Sequence, residues 1–153
     1  MPNINYRDND DLFLYDSVIE SLEVNHKNKS IVFHILKVID RIDGERGFTH
    51  KVKLGILTFT EVLYATIPYS MELGEWSEFY RSAVLDSSEL LEKVKKRPNP
   101  KLKEIKQQLK HIYLGIDNGI EYKEIDIICQ KFSLELGSEE FILHDDFDWL
   151  YDE

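Results

Sequence analysis

The segment Asp117-Asn118-Gly119-Ile120 most constrains the fold, because it separates two stretches of alternating apolar residues. Asn-Gly is the preferred pair for a two-residue type I′ turn, since both central positions need a positive φ. The flanking alternation has the period of two that is typical of a half-buried strand; it comprises Ile112, Leu114 and Ile116 before the turn and Ile125 and Ile127 after it. The sequence therefore predicts an antiparallel hairpin whose second strand runs from Ile120 to about Cys129.

A second hairpin is predicted in the N-terminal third of the chain. The turn-forming segment 25–29 separates a strand that begins near Val18 from the apolar run between Ser30 and Ile39. Two β-rich runs around a short Asn-containing connection indicate antiparallel strands. Because the second run is apolar almost throughout, we expect it to be a central strand.

The next strand is predicted to begin near Phe48 and to bury every second residue. The expected core positions of this strand are Val52, Leu54 and Ile56. They alternate with expected solvent positions at Lys51, Lys53 and Gly55. The phase slips near Thr60-Glu61, where we expect a β-bulge or a break.

Between roughly residues 76 and 110 the pattern predicts helical structure. Asp86 is suited to cap a helix because Glu89 follows three residues later. Pro98 would end that helix, and Asn99-Pro100 could begin another. Whether residues 86–110 form one helix or two stays open.

These patterns together predict an α+β fold with a mainly antiparallel sheet of about six strands and the helical segment packed across one face or end. A chain of 153 residues has the usual size of one domain. We expect a mobile N-terminus (1–11) and an acidic, aromatic C-terminal tail (144–153). The predicted core consists of Leu22, Val24, Ile31, Phe33, Ile35, Val52, Leu54, Ile56, Leu114, Ile116, Ile125, Ile127, Phe132 and Leu134.

The chain is strongly acidic: 29 Asp and Glu residues against 19 Lys and Arg residues give a net charge of −10. Such a field repels nucleic acid and anionic lipid and accelerates the encounter with a basic protein. No apolar run approaches the roughly 20 residues of a membrane span, and the N-terminus lacks the basic start and apolar stretch of a signal peptide. We therefore expect a cytoplasmic protein whose partner is neither a nucleic acid nor a membrane.

Residue types that support catalysis or metal binding are present, but without the required spacing. The 5 histidines show no pairing of the metal-ligand kind, and the glycines form neither a P-loop nor a dinucleotide-binding pattern. His34 is expected to be a hydrogen-bonded histidine of the sheet. Cys129, the single cysteine, lies in a predicted strand, where burial makes a thiol inert. The sequence thus predicts a non-enzymatic protein without a metal site or a cofactor.

One alternative is a small-ligand or carbohydrate-acting enzyme. Glu75 and Glu78 lie beside Trp76 and Tyr80, and carboxylates near aromatic rings can form a sugar-binding cleft. His144 beside Asp145 could act as a general base. The spacing of three between the glutamates equally describes the solvated side of a helix.

The last part of the chain contains the candidate binding residues. From Phe132 to Glu153 there is no Lys or Arg, whereas carboxylates and aromatic rings alternate closely. The charge of Asp145, Asp146, Asp148 and Asp152 would attract a basic partner, and Trp149 and Tyr151 would be its aromatic anchors. Alternatively, Phe147, Trp149 and Leu150 fold the tail back onto the sheet.

Five features follow one another along this chain. They are the element Asp16-Ser17-Val18-Ile19, the apolar strand after it, the strand from Lys51 to Phe59, the late Asn-Gly hairpin and the acidic end. This layout resembles the small uncharacterised YxiG-like proteins of Gram-positive bacteria and, more loosely, immunity-type proteins encoded beside secreted polymorphic toxins. The resemblance implies a small β-rich fold and protection against a toxin, and it provides no catalytic residue. We therefore expect an immunity-type protein that neutralises a basic toxin domain; a purely structural or oligomeric module is the remaining alternative, and the oligomeric state stays open.

Overall fold

The computed structural model describes residues 3–4, 12, 14, 16–44, 47–67, 77–98, 108–119 and 121–144. Within these residues the chain is almost entirely antiparallel β-sheet with one short helix, as predicted in outline. The elements are β1 (Asn3–Ile4), β2 (Val18–Asn25), β3 (Ser30–Gly44), β4 (Gly47–Thr66), β5 (Glu78–Leu85), α1 (Glu89–Lys95), β6 (Lys110–Asp117) and β7 (Tyr122–His144).

The described strands form a seven-stranded sheet in the order β1-β7-β4-β3-β2-β5-β6, and β6 also pairs with β7. The sheet therefore closes on itself. Closure is possible because β7 is 23 residues long and has a different neighbour on each side. Cys129, for example, pairs with Val62 of β4 and with Lys110 of β6.

The seam between β2 and β5 depends on the Asp16-Ser17 element. Val18 and Glu78 form the ladder pair that joins these strands. The N–H of Asp16 donates to the carbonyl of Phe79 at 2.9 Å, and the N–H of Phe79 donates to the carbonyl of Ser17 at 3.0 Å. Asp16 has a positive φ of 64°, which turns the chain into β2. The motif that carried the resemblance thus has a structural role in closing the sheet.

Apolar side chains fill the space inside the closed sheet. Phe33 lies at its centre and meets Phe59 and Phe79 edge-on, with ring centroids 6.2 and 5.4 Å apart. Nine of the predicted core residues are buried in this interior: Ile31, Phe33, Ile35, Leu114, Ile116, Ile125, Ile127, Phe132 and Leu134. Leu22 packs against them and is half-buried, whereas Val24 is 41% exposed and the prediction for it was wrong.

Of the core residues predicted on β4, Val52 is buried as predicted, but Leu54 and Ile56 are exposed. Gly55, expected at a solvent position, faces the interior, where a Cβ would lie 3.1 Å from Ile35 Cγ1 and 3.2 Å from Leu136 Cδ2. The same side of β4 carries the buried Leu57 and Phe59. Leu54 and Ile56 therefore lie on the outer face, because side chains alternate along a strand. Because Gly55 has no apolar side chain to mark its place in a period-two pattern, apolar periodicity alone indicates the wrong face of β4 as the interior.

The bulge predicted near Thr60-Glu61 is confirmed. Glu61 has a φ of 53°, and the pairing of β4 with β7 shifts between Val62 and Tyr64. β4 continues through this irregularity to Thr66.

The helical prediction between residues 76 and 110 was wrong for its first part, because Glu78–Leu85 is strand β5. A register shift between Phe79 and Arg81 leaves Tyr80 outside the regular ladder. Phe79 and Ser82, three residues apart, consequently face the same side, which imitates a helical period. The helix itself is confined to Glu89–Lys95, and its N-cap is Ser88 rather than Asp86. A second helix from Asn99 would begin outside the described residues.

The Asn118-Gly119 connection is a hairpin turn, but it is not the predicted two-residue type I′ turn. Asp117 pairs with Tyr122, so the loop runs from Asn118 to Glu121. Asn118 Oδ1 accepts the N–H of Glu121 at 3.0 Å, and Asp117 Oδ1 accepts the N–H of Gly119 at 2.8 Å. Of the central pair, Gly119 has the positive φ, 91°. Side-chain hydrogen bonds therefore shape a longer turn.

Candidate protein-binding surface

Apolar side chains cover part of the outer face formed by β3, β4 and β7. Register places Leu54 beside Leu36 and places Val52 beside Phe141. We define the outer patch as Leu36, Val52, Leu54, Ile56, Phe141 and Ile142. Apart from Ile56, these residues line a shallow cleft of about 280 Å³.

Much of the outer patch is exposed to solvent. Leu54 is 49% exposed, Ile142 48%, Ile56 40% and Phe141 38%. Val52 is only 1% exposed and therefore contributes little to the exposed area of the patch. Large apolar residues scattered singly over a surface are ordinary, whereas a contiguous group of them indicates an interaction site.

Carboxylates surround the outer patch on both sides. On β7, Glu135 pairs in register with Ile56, and Glu139 and Glu140 are exposed just before Phe141. Glu140 also lies 3.5 Å from the ammonium group of Lys51. On β2, Glu23 is exposed and lies 3.7 Å from His34. His34 lies on strand β3, which confirms its predicted place in the sheet. The patch is an apolar centre with a predominantly acidic margin.

The predicted binding residues Asp145, Asp146, Asp148, Trp149, Tyr151 and Asp152 lie outside the described residues. The described chain ends with β7 at His144, whose backbone pairs with Thr49. Phe141 and Ile142 are therefore among the last residues of β7, just before the acidic tail in the sequence. Sequence analysis identified the tail but missed the outer patch beside it, because the patch depends on the orientation of β4.

A second group of interest joins α1 to the sheet. His111 Nδ1 lies 2.7 Å from Ser88 Oγ, and His111 Nε2 lies 2.7 Å from a carboxylate oxygen of Asp126. His111 is 7% exposed. Ser88 Oγ also accepts the N–H of Leu91 at 3.0 Å, as an N-cap does. The imidazole thus connects the first turn of α1 with β7.

The order serine, histidine, carboxylate is shared with hydrolytic triads. Here it has a sufficient structural explanation, because Ser88 caps α1 and the apolar side of that helix packs on the sheet through Leu91 and Val94. Such a triad is invisible to a search for short spacings, since its members come from three separate elements. Asp86, the predicted cap, instead forms an ion pair with Lys110.

The tyrosines of β5, β6 and β7 form a third group on the outer face. The Tyr80 ring lies across Gly115, where a Cβ would come within 2.6 Å of Tyr80 Cζ. Tyr113 donates its hydroxyl proton to Glu124 at 2.8 Å. Burial, together with hydrogen bonds to Glu124 and Tyr80, raises the pKa of Tyr113 to about 12.

The cleft of the alternative enzymatic hypothesis is only partly described. Trp76 and Glu75 lie outside the described residues, as does the side chain of His144. Glu78 lies on β5, where it pairs with Val18 and with Asp117 at the seam of the sheet.

Cysteine and metal chemistry have little support in the described part of the chain. Cys129 is buried, as predicted, and this burial raises the pKa of its thiol to about 12. No group of His, Cys, Asp or Glu side chains suited to hold a metal ion occurs among the described residues. In the same residues, no helix has both the length and the apolar character needed to cross a membrane.

Comparison with known proteins identifies no relative. No family model matches the chain, and neither a curated protein nor a solved structure is detectably similar to it.

Proposed function

We propose that this chain is a non-enzymatic binding protein that holds a basic protein partner against its outer patch. The observation that supports this proposal is the contiguous exposed apolar group on β4 and β7, with carboxylates on either side. An apolar centre with a polar margin is the usual anatomy of a protein interface. The acidic tail begins where the patch ends, so charge and apolar contact would act on the same partner.

Charge and apolar contact would contribute to different steps of binding. A net charge of −10 accelerates the approach of a basic surface and repels competing polyanions. Desolvation of Leu54, Ile56 and Phe141 would then provide most of the free energy of binding, because exposed charge pairs contribute little. Asp145, Asp146, Asp148 and Asp152 would supply long-range attraction, with Trp149 and Tyr151 as additional anchors.

An immunity-type role fits this chemistry. Toxin domains that degrade nucleic acids are basic because they hold phosphates, so a prefolded acidic protein can reach and cover their clefts. The partner in this proposal is therefore a basic toxin domain, and the compartment is the cytoplasm in which such a toxin would be neutralised.

The proposal is tested with the toxin-like protein encoded nearest to this chain's gene, or with a partner recovered by affinity capture. We expect Leu54→Ser to weaken binding at least about tenfold, the effect of removing a central apolar contact. Leu85→Ser is the matched control, since Leu85 is 37% exposed on β5, away from the patch. Equal affinities of both variants would exclude the outer patch as the contact surface.

The contribution of the tail is measured separately. Replacing Asp145, Asp146, Asp148 and Asp152 by asparagine should slow association and flatten its dependence on salt, while dissociation changes less. An unchanged association rate would exclude the tail as the steering element. Light scattering at two protein concentrations identifies the other occupant of the patch, a second copy of this chain; dimerisation that Leu54→Ser abolishes would support the structural alternative instead.

A further inference from the structure

One open end of the closed sheet contains a groove of about 610 Å³ between the β2–β3 hairpin and the bulged end of β4. We call it the mouth groove. Its apolar lining consists of Val24, Ile31, Val62, Leu63, Ala65 and Ile67. The volume lies within the range of small-molecule sites, which occur at the open ends of closed sheets among other places.

The floor of the mouth groove is continuous with the core. Ile31 is 2% exposed, and Val62, Ala65 and Ile67 pack against the central cluster while staying partly exposed. Because aromatic and aliphatic side chains fill the interior, a ligand would occupy the mouth rather than the centre of the sheet. An apolar body of a ligand would therefore extend the core outward.

The rim has a different chemistry. The hairpin contributes His26, Lys29 and Ser30 to the lining, and none of the described lining residues carries a carboxylate. In a chain with a net charge of −10, the described lining of this groove thus carries the positive charge of Lys29 and no negative charge. The ammonium group of Lys29 can donate hydrogen bonds but cannot accept them, which suits an anionic ligand group.

The backbone around the groove is held in a specific conformation. Lys29, which directly precedes β3, and Glu61 of β4 both have a φ of 53°. The N–H of Val62 donates to the carbonyl of Lys29 at 3.0 Å, and the N–H of Asn28 donates to Asn25 Oδ1 at 3.0 Å. Non-glycine residues in the left-handed region persist only where their surroundings fix them. The rim is thus organised before any ligand arrives.

We propose that the mouth groove binds an amphiphilic carboxylate, with an unbranched acyl chain on the apolar floor and the carboxylate at Lys29. The apolar floor selects the chain, and the positive rim selects the charged head. This site is independent of the proposed contact with a basic protein, which uses the opposite charge and a different face.

Decanoate below its micelle concentration is the test ligand, and backbone amide NMR of the full-length chain is the readout. Saturable shift changes are expected at Ile31, Val62 and Ala65. Decanol tests the head group and hexanoate tests the chain; hexanoate should bind at least about tenfold more weakly, because each buried methylene contributes. Changes centred on Leu54 and Phe141, or no saturable changes, would overturn the proposal.

Lys29→Gln tests the rim directly. It should weaken decanoate binding roughly threefold, the scale of a partly exposed charged contact, and leave decanol binding unchanged. Lys93→Gln makes the same charge change on α1, where Lys93 is 72% exposed, and should leave both affinities unchanged. If Lys29→Gln and Lys93→Gln weaken decanoate equally, only the net charge matters and the assigned head-group site is wrong.

Discussion

Ser17 Oγ accepts a hydrogen bond from the backbone N–H of Val38 at 3.2 Å, and the Ser17 side chain is fully buried. One hydroxyl therefore satisfies a β3 amide at the position where β2 enters the sheet. The neighbouring backbone groups of Ser17 join Leu14 and Phe79. The segment before β2 is thus held by a local turn at Leu14 and by hydrogen bonds to two other strands, β3 at Val38 and β5 at Phe79.

Ser17→Ala should lower the free energy of unfolding by about 1 kcal/mol, because it leaves the partly buried N–H of Val38 without its acceptor. Ser133→Ala is the matched control, since Ser133 is half-buried opposite Thr58 on the outer face. Urea denaturation gives both values, and an unchanged m-value would show that the denatured state is unaffected. Coincident midpoints for the two variants would contradict the structural role of this hydroxyl.

Gly55→Ala should destabilise the fold by about 1–3 kcal/mol through overpacking. The new methyl group would lie 3.1–3.3 Å from atoms of Ile35, Leu136 and Leu134. Gly137→Ala places its methyl group 3.6 Å from the Leu54 carbonyl oxygen, an ordinary contact, and should be neutral or slightly stabilising. Thermal unfolding of the two variants tests the orientation of β4. With Gly55 facing the interior, Gly55→Ala should have the lower melting temperature of the two. If Gly55 faced solvent, it would not.

Ser88→Ala should cost about 1–2 kcal/mol, since it removes the N-cap of α1 and the partner of His111 Nδ1. The adjacent Ser87→Ala removes an exposed hydroxyl and should change stability by less than about 0.5 kcal/mol. Hydrogen exchange at the Leu91 amide would rise in the first variant alone. Equal exchange rates in both would show that the cap contributes nothing to α1.

Stability should decrease as the pH rises above about 9. Burial raises the pKa of Cys129 from 9.0 to about 12, and burial with hydrogen bonding raises that of Tyr113 from 10.0 to about 12. In this range the unfolded chain has lost protons that the folded chain keeps, so alkali favours unfolding. Below pH 9 both groups are protonated in either state and contribute no pH dependence. Urea midpoints measured from pH 8 to 11 should fall less steeply for Tyr113→Phe than for Tyr122→Phe, and parallel curves would contradict the assignment.

Period-two patterns correctly predicted the antiparallel sheet, because strands that bury one face must alternate. Ile112, Leu114 and Ile116 illustrate the success: Leu114 and Ile116 were named as core, and all three are fully buried. A glycine in the interior makes this alternation misleading. Gly55 makes room for the larger Ile35, Leu134 and Leu136, so β4 is apolar on both faces and periodicity selects the wrong one.

Long-range contacts limited the prediction of sites. His111 is separated by 23 residues from Ser88 and by 15 from Asp126, so only the fold brings them together. The mouth groove likewise combines the β2–β3 hairpin with a bulge after Glu61. The bulge was predicted, but its position opposite Lys29 follows from the pairing of β3 with β4.

The double pairing of β7 has a consequence for biosynthesis. Until β7 emerges from the ribosome, β4 and β6 each lack a partner on one side. The sheet then stays open, with two unpaired strand edges. Closure of the sheet thus has to wait for β7 to be synthesised, and the nascent chain is most exposed to aggregation just before β7 is complete.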